Sequence, residues 1–205
     1  MAIAADCKSA PYRFGGSSPS LPKAGLEISS LILKTFFYSI SFLGEKKVFY
    51  DLGLRFSCNR CSDCCRLSPG VVYLSLEDLQ NLCEVFGICE SKFIPLYCRW
   101  LTYYDGAEVL ALKERKNYDC ILWKDGEGCS AYSKRPVQCS TYPFWSWILE
   151  SREDWDSCAA DCPGINAKNG RLWTKEEIEE QRVAYDKIEP LRRSEAEKLY
   201  GDLEM

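Results

Sequence analysis

The sequence predicts a small single α+β domain with short strands, C-terminal helices and irregular loops organised by metal. Three observations support this class. Short apolar runs bounded by turn residues predict strands. Segments with helical spacing behind capping residues predict helices. Thirteen cysteines occur without a single histidine in 205 residues. A chain of this length can bury a core without cross-links, so cysteines at this density suggest thiolate ligands rather than disulfides.

The first part of the chain predicts little regular structure. Residues 1–24 are rich in Ala, Gly, Ser and Pro, which is typical of a flexible leader. Residues 26–44 fit either a strand pair or a helix, because the spacing of their apolar residues does not distinguish the two. We expect a metal-binding domain over 25–170 and a helical extension over 171–205.

The middle of the chain alternates helices and strands. Residues 71–74 predict a short buried strand. Ser75 and Asp78 form a capping box that opens a helix ending at Gly87. A second helix is expected over 91–101. Residues 109–113 and 120–123 predict a strand pair, followed by a turn over 124–128.

The C-terminal segment predicts helices. Thr174 and Glu177 form a second capping box, opening a helix to about Ile188. Pro190 interrupts it, and a charged segment continues to Tyr200. The acidic residues of this segment predict a solvated face; a protein partner bound by these helices is an alternative.

Nine cysteines are candidate metal ligands because they are closely spaced. A Cys-x-x-Cys turn lets two sulfurs converge on one zinc ion or iron–sulfur cluster. Four thiolates complete one such centre, so nine suffice for two with one to spare. The candidates are Cys58, Cys61, Cys64, Cys65, Cys120, Cys129, Cys139, Cys158 and Cys162.

Two details of this cluster are expected from its local sequence. Cys65 should face away from Cys64, since neighbouring residues of an extended or turning chain cannot easily face the same way. The negative charge of several thiolates should be offset by nearby basic side chains. The candidates for that role are Arg55, Arg60, Arg66, Lys134 and Arg135.

Three other cysteines predict core packing instead. Cys83, Cys89 and Cys98 lie among apolar residues at helical spacing, and a free cysteine behaves as a small hydrophobe. Tyr142, Phe144, Trp145 and Trp147 likewise predict core or a dry shell around the metal.

Several functions lack sequence support. No glycine-rich phosphate loop occurs, and a Cys–His nucleophilic pair is impossible without histidine. The net charge of −4 gives no drive towards nucleic acid or anionic lipid. No secretory signal or membrane span is evident, so we predict a cytoplasmic protein without nucleic-acid or membrane partners.

The cysteine pattern resembles that of a known family. The run is Phe56-Ser-Cys-x-x-Cys-x-x-Cys-Cys65, and the later block is Cys120…Cys129-x-x-Tyr-x-x-Arg-Pro-x-x-Cys139-x-x-x-Pro143, with Cys162 as closing cysteine. Together they resemble the YkgJ-like CxxCxxCC cysteine-cluster proteins, which are described as zinc- or iron-chelating. The resemblance implies metal binding by these cysteines. Related clusters occur in flagellin lysine methylases, which implies an enzyme as an alternative.

These observations lead to one expectation and two alternatives. We expect one or two thiolate-ligated centres, either an iron–sulfur cluster such as [4Fe–4S] or zinc. The first alternative is an enzyme that uses the centre for redox chemistry or protein side-chain modification. The second is an interaction module in which the metal only holds the fold.

Overall fold

The computed structural model describes residues 47–66 and 69–203. The expected leader over 1–24 and the ambiguous segment over 26–44 lie outside the described residues. The described part is a mixed α+β fold, as predicted. Its helices are α1 (Leu76–Phe86), α2 (Glu90–Tyr97), α3 (Val137–Thr141), α4 (Arg152–Cys158), α5 (Lys175–Asp186) and α6 (Arg193–Tyr200).

The strands form three short antiparallel pairs in this part of the chain. Strand β1 (Leu54–Arg55) pairs with β6 (Leu172–Trp173), and β2 (Cys98–Thr102) pairs with β3 (Glu108–Leu112). The third pair is a hairpin of β4 (Trp123–Lys124) and β5 (Gly128–Cys129), around the predicted turn.

Both predicted capping boxes are confirmed. The Ser75 side chain accepts from the Asp78 backbone N–H and the Asp78 carboxylate accepts from the Ser75 N–H, so α1 begins as expected. Helix α1 ends at Gly87, whose φ of +62° is a left-handed conformation that glycine adopts readily. Thr174 and Glu177 cap α5 in the same reciprocal way.

The second predicted helix is too long. Helix α2 stops at Tyr97, and residues 98–101 belong to β2, with Cys98 opposite Leu112. Local periodicity could not reveal this change, since it depends on pairing with β3. Residues 109–113 and 120–123 do not form the expected strand pair. They are joined by the Ile121 N–H, which donates to the Lys113 carbonyl at 3.0 Å, next to an isolated bridge between Glu114 and Cys120.

The predicted strand over 71–74 forms only an isolated bridge, between Tyr73 and Ala111. Its backbone still follows β3, because Leu74 donates to the Leu110 carbonyl at 3.0 Å. The Leu191 N–H then donates to the Leu74 carbonyl at 2.8 Å. The predicted extension over 171–205 therefore contacts the main core through its backbone.

The main hydrophobic core lies between α1, α2, β2 and β3. Its buried side chains also come from the C-terminal segment: Leu191, Ala196 and Leu203 belong to the same cluster as Leu79 and Phe93. None of the described helices is both long and apolar enough to cross a membrane.

A second buried cluster is aromatic and lies beside the first cysteine run. Phe144 is packed against Phe56, Trp155 and Trp173, with ring centroids 5.8, 5.8 and 4.8 Å away. Trp155 donates its indole N–H to the Asn166 side chain at 2.9 Å, and Trp173 donates to the Phe56 carbonyl at 3.0 Å. Because its rings pack together and both indole N–H groups have acceptors, this aromatic cluster is a rigid support for the cysteine run.

Candidate metal centre

The first cysteine run is fixed to distant parts of the chain at both ends. Before it, Ser57 donates its backbone N–H to the Gly164 carbonyl at 3.2 Å. After it, the Cys65 carbonyl accepts the Cys120 N–H at 2.8 Å. Arg66 also pairs with Asp119, with 3.1 Å between Nε and Oδ1. These contacts place the run between the closing cysteine loop and the segment that carries Cys120.

The contact at Gly164 requires glycine. A Cβ atom on this residue would lie 2.3 Å from the Ser57 carbonyl oxygen, which is far inside van der Waals contact. Because the atom it would meet is backbone, the clash could not be relieved by rotating a side chain. Glycine at 164 therefore allows the chain after Cys162 to approach the chain before Cys58.

Inside the run the backbone turns tightly. Arg60 and Ser62 have φ values of +60° and +69°, and Asp63–Cys65 form one turn of 3₁₀-helix. The Sγ atoms of Cys64 and Cys65 are 3.8 Å apart. The expectation that Cys65 faces away from Cys64 is therefore wrong. In a 3₁₀-helix successive side chains are rotated by about 120°, so neighbours do not alternate as they do in a strand.

The later cysteines are carried by short, separately anchored elements. Cys129 lies in β5 opposite Trp123, and Cys120 lies just before the turn into β4. Cys139 is in α3, whose first residue, Val137, donates its N–H to the Asp78 carboxylate at 2.9 Å. Asp78 is only 3% exposed and also caps α1, so one carboxylate fixes two helix starts.

Five thiols interact with one another and are called the central group: Cys64, Cys65, Cys120, Cys129 and Cys139. Burial raises the pKa of the Cys139 thiol, and the thiols of Cys120, Cys64 and Cys129 raise it further. Burial also raises the pKa of Cys120 and Cys129. The thiols of Cys120, Cys129 and Cys139 are thus favoured in their neutral form by burial and by neighbouring thiols, and a bound cation would reverse both effects.

The hydrogen bond between the two adjacent thiols separates their acidities. It lowers the pKa of Cys64 to about 7 and raises that of Cys65. Cys64 is consequently the member of the central group that loses its proton most readily.

A second set of thiols lies at the closing loop. Cys158 ends α4, and its carbonyl accepts the Cys162 N–H at 3.0 Å. Burial raises the pKa of the Cys162 thiol, while backbone N–H groups and the Tyr142 hydroxyl oppose that rise by hydrogen bonding. The Cys162 thiol in turn acts on Cys61, whose pKa is raised chiefly by burial. Residues of the first run and of the closing loop therefore meet.

Cys58 is the outermost of the nine candidates. It is exposed, and it precedes the tight turn that carries Cys64 and Cys65. Among residues 47–66 and 69–203, no three Cys, Asp or Glu side chains converge closely enough to hold one ion in this arrangement. The ligand assignments therefore remain predictions.

The donor chemistry nevertheless fits a thiophilic metal. A Zn–S bond of about 2.3 Å corresponds to a tetrahedral S–S edge of roughly 3.8 Å. The Cys64 and Cys65 sulfurs already have that separation. The nine candidates supply only sulfur, which suits zinc or iron–sulfur clusters rather than magnesium or calcium.

The basic residues expected near the cluster have different roles. Arg55 donates to the Gly170 carbonyl, Arg66 pairs with Asp119, and Lys134 pairs with Glu84. Arg60 lies over the Tyr132 ring at 4.0 Å. Only Arg135 among these five exerts its charge on several thiols, since it opposes the rise in pKa of Cys129 and Cys139 that burial causes.

The cysteines predicted to be core residues divide into two kinds. Cys83 and Cys98 are buried in the main core, and burial raises the pKa of Cys83 to about 12. Cys89 is only partly buried, at the N-cap of α2. Sequence reasoning did not link Tyr142 to Cys162, although the Tyr142 hydroxyl lowers the pKa of that thiol. The position of Tyr142 in the shared motif block, three residues after Cys139, was the available signal.

The fold and these thiols define a cysteine-rich domain built around a chelating cluster. The chain matches the family model described as "CxxCxxCC: Putative zinc- or iron-chelating domain" over residues 57–163, more than half of its length. It belongs to this family, and the resemblance seen in the sequence is confirmed. No solved structure matches the chain.

Proposed function

We propose that this protein binds metal through two thiolate-ligated centres. The observation that carries the proposal is the hydrogen bond from the Cys120 N–H to the Cys65 carbonyl, at 2.8 Å. It joins the first run to the later block, so that cysteines far apart in sequence form the central group. Packing alone gives no reason for five thiols, four of them partly buried, to lie near one another.

The nine candidates divide naturally between two centres. Four of the five thiols of the central group would hold the first. The remaining candidates, Cys58, Cys61, Cys158 and Cys162, would hold the second. This division is supported by the interaction of Cys61 and Cys158 with Cys162. Cys64 of the central group also acts on Cys162, so the two centres would be neighbours. Four thiolates complete either a zinc site or a [4Fe–4S] cluster.

When bound, the metal would neutralise thiolate charge and, as a cluster, could also exchange electrons. The protein's own part is to hold the sulfurs. Asp78 fixes the helix of Cys139, Gly164 lets the closing loop approach the run, and the aromatic cluster supports both. Binding energy would then appear as folding energy, because the unfolded chain lacks the site.

A second candidate function, an enzyme acting through the centre, is favoured by one observation. The central group contains five thiols, although four close a tetrahedral site. A fifth thiol beside the metal could serve chemistry on a redox partner or a protein side chain. A cysteine that is dispensable for metal retention but required for activity would support this function.

The test compares metal content in matched cysteine variants purified without oxygen. The double variant Cys120→Ala/Cys139→Ala leaves three thiols in the central group and should lose the metal of the first centre, and Cys162→Ala should lose that of the second. Cys98→Ala is the control, since Cys98 is 0% exposed in the main core and is not a candidate ligand. Metal content that is unchanged in the double variant and in Cys162→Ala would refute the proposal.

A further inference from the structure

Arg135 has an unsatisfied donor in a buried position. Its Nε is inaccessible to solvent and has no hydrogen-bond partner in the described part of the chain. Its guanidinium carbon lies 4.4 Å from the centroid of the Tyr132 ring. Buried donors are normally paired, and those that are not often mark a place where another group binds.

The backbone on both sides of Arg135 is fixed. The residue follows the 3₁₀-turn Tyr132–Lys134 and precedes Pro136, the N-cap of α3. The start of α3 is in turn held by the Asp78 carboxylate. The side chain is therefore directed by a rigid frame and by the Tyr132 ring.

Three thiols of the central group lie within electrostatic reach of this side chain. The charge of Arg135 acts on Cys64, Cys129 and Cys139, which come from three separate elements of the fold. The adjacent Lys134 is instead engaged by Glu84, and Arg66 by Asp119. Asp63 is a carboxylate that acts on Cys64 in the opposite sense. Arg135 is thus the cation that several thiols share.

We propose that Arg135 is a positioning residue for the first centre, with its Nε–H donating to a thiolate sulfur and its charge offsetting that of the thiolates. This inference rests on the proposed function. A neutral thiol is a weak acceptor, whereas an ionised sulfur accepts a charge-assisted hydrogen bond. A metal-bound thiolate of the first centre would therefore give the unpaired Nε–H of Arg135 an acceptor. Such outer contacts orient ligands and tune the affinity for metal.

Packing alone would give Arg135 a different role. An arginine over a tyrosine ring contributes a cation–π contact whether or not metal binds. Arg135→Met retains most of the apolar stem without charge or N–H. Arg135→Lys retains the charge without the planar guanidinium. If Arg135 only packs, the two variants should bind metal with similar affinity. If Arg135 acts on thiolates, Arg135→Met should bind metal much more weakly than Arg135→Lys.

The experiment measures Zn²⁺ affinity of the metal-free, reduced full chain by competition with a chromophoric chelator. Arg135→Met should weaken binding about 10- to 100-fold, and Arg135→Lys should weaken it less. The control is Arg171→Met, because Arg171 also lies over an aromatic ring, that of Trp173 at 4.2 Å, and its ion-pair partner is Glu177 rather than a thiol. This control should bind as the wild type does.

A spectroscopic readout separates positioning from packing. With Co²⁺ as the probe, loss of a hydrogen bond to sulfur should shift the thiolate-to-metal charge-transfer band of Arg135→Met to lower energy. Wild-type affinity and an unshifted band in folded Arg135→Met would overturn the inference. Equal losses in the Met and Lys variants would also overturn it. A wild-type chain that binds neither ion would instead refute the proposed function itself.

Discussion

At the scale of single residues, Gly164 determines whether the two ends of the cysteine region can meet. Its own carbonyl accepts the Ser57 N–H, and a Cβ at this position would lie 2.3 Å from the Ser57 oxygen. The run beginning at Cys58 and the loop containing Cys162 are both one or two residues away from this contact. Its geometry is therefore transmitted directly to candidate ligands.

Gly164→Ala should destabilise the protein by about 2–3 kcal/mol, from overpacking and loss of a backbone hydrogen bond. Urea unfolding of the metal-free chain measures this change. Gly70→Ala is the matched control, because nothing lies within 4 Å of the added Cβ and φ is not positive. Equal stability of the two variants would show that the close approach at 164 is unimportant.

At the scale of elements, α3 is too short to be stable alone and depends on α1. Five residues are well below the length at which an isolated helix forms in water. The Asp78 carboxylate supplies the missing support by accepting from Val137 while it also accepts from Ser75. The position of Cys139 therefore depends on a residue of another helix.

Asp78→Ala should lower the free energy of unfolding by about 2–4 kcal/mol, since buried N–H groups at two helix starts lose their acceptor. It should also reduce metal retention by displacing Cys139. Asp154→Ala provides the comparison, as the Asp154 carboxylate accepts from the hydroxyl of Ser151, the N-cap of α4, and so acts at a single helix start. If Asp78→Ala were no more destabilising than Asp154→Ala, the link between α1 and α3 would be disproved.

The elements also show which parts of the fold the sequence could predict. The starts of α1 and α5 depend on contacts three residues apart, and the capping boxes revealed both. Strand β2 was mistaken for helix because its structure comes from pairing with β3, across a loop. The predicted direction of the Cys65 side chain was wrong because the backbone turns here, with positive φ at Arg60 and Ser62. Neither arginine nor serine favours a positive φ strongly enough for the sequence to predict it.

At the scale of the whole molecule, the cysteines of this chain have two structural roles. Cys83 and Cys98 pack in the main core beside residues of the C-terminal helices. The central group lies where the first run meets the later block. The sequence separated these roles correctly for Cys83 and Cys98, because their neighbours are apolar at regular spacing. It could not show how distant cysteines divide between centres, since that depends on long-range backbone contacts.

The buried thiols predict how stability depends on pH in the metal-free protein. Burial raises the pKa of Cys98 above its unfolded value and raises that of Cys83 to about 12. Stabilisation from these neutral thiols is complete below the unfolded pKa near 9 and is lost as pH rises towards the folded values. The free energy of unfolding should fall by about 1 kcal/mol per buried thiol between pH 8 and pH 10.

Urea unfolding under reducing conditions at these two pH values measures the fall. It should be smaller in Cys98→Ala, which removes one of the titrating groups. If the wild-type protein were equally stable at both pH values, the thiols of Cys83 and Cys98 would be less buried than the structure shows.

The most direct test of the whole account is the metal and sulfide content of the full chain purified without oxygen, together with its visible spectrum. The account predicts tightly held metal in fixed ratio to protein. A brown chain with iron and acid-labile sulfide would identify iron–sulfur centres, and a colourless chain with zinc would identify thiolate zinc sites. A folded chain that holds neither metal, with the thiols of the central group free to react, would contradict the central claim.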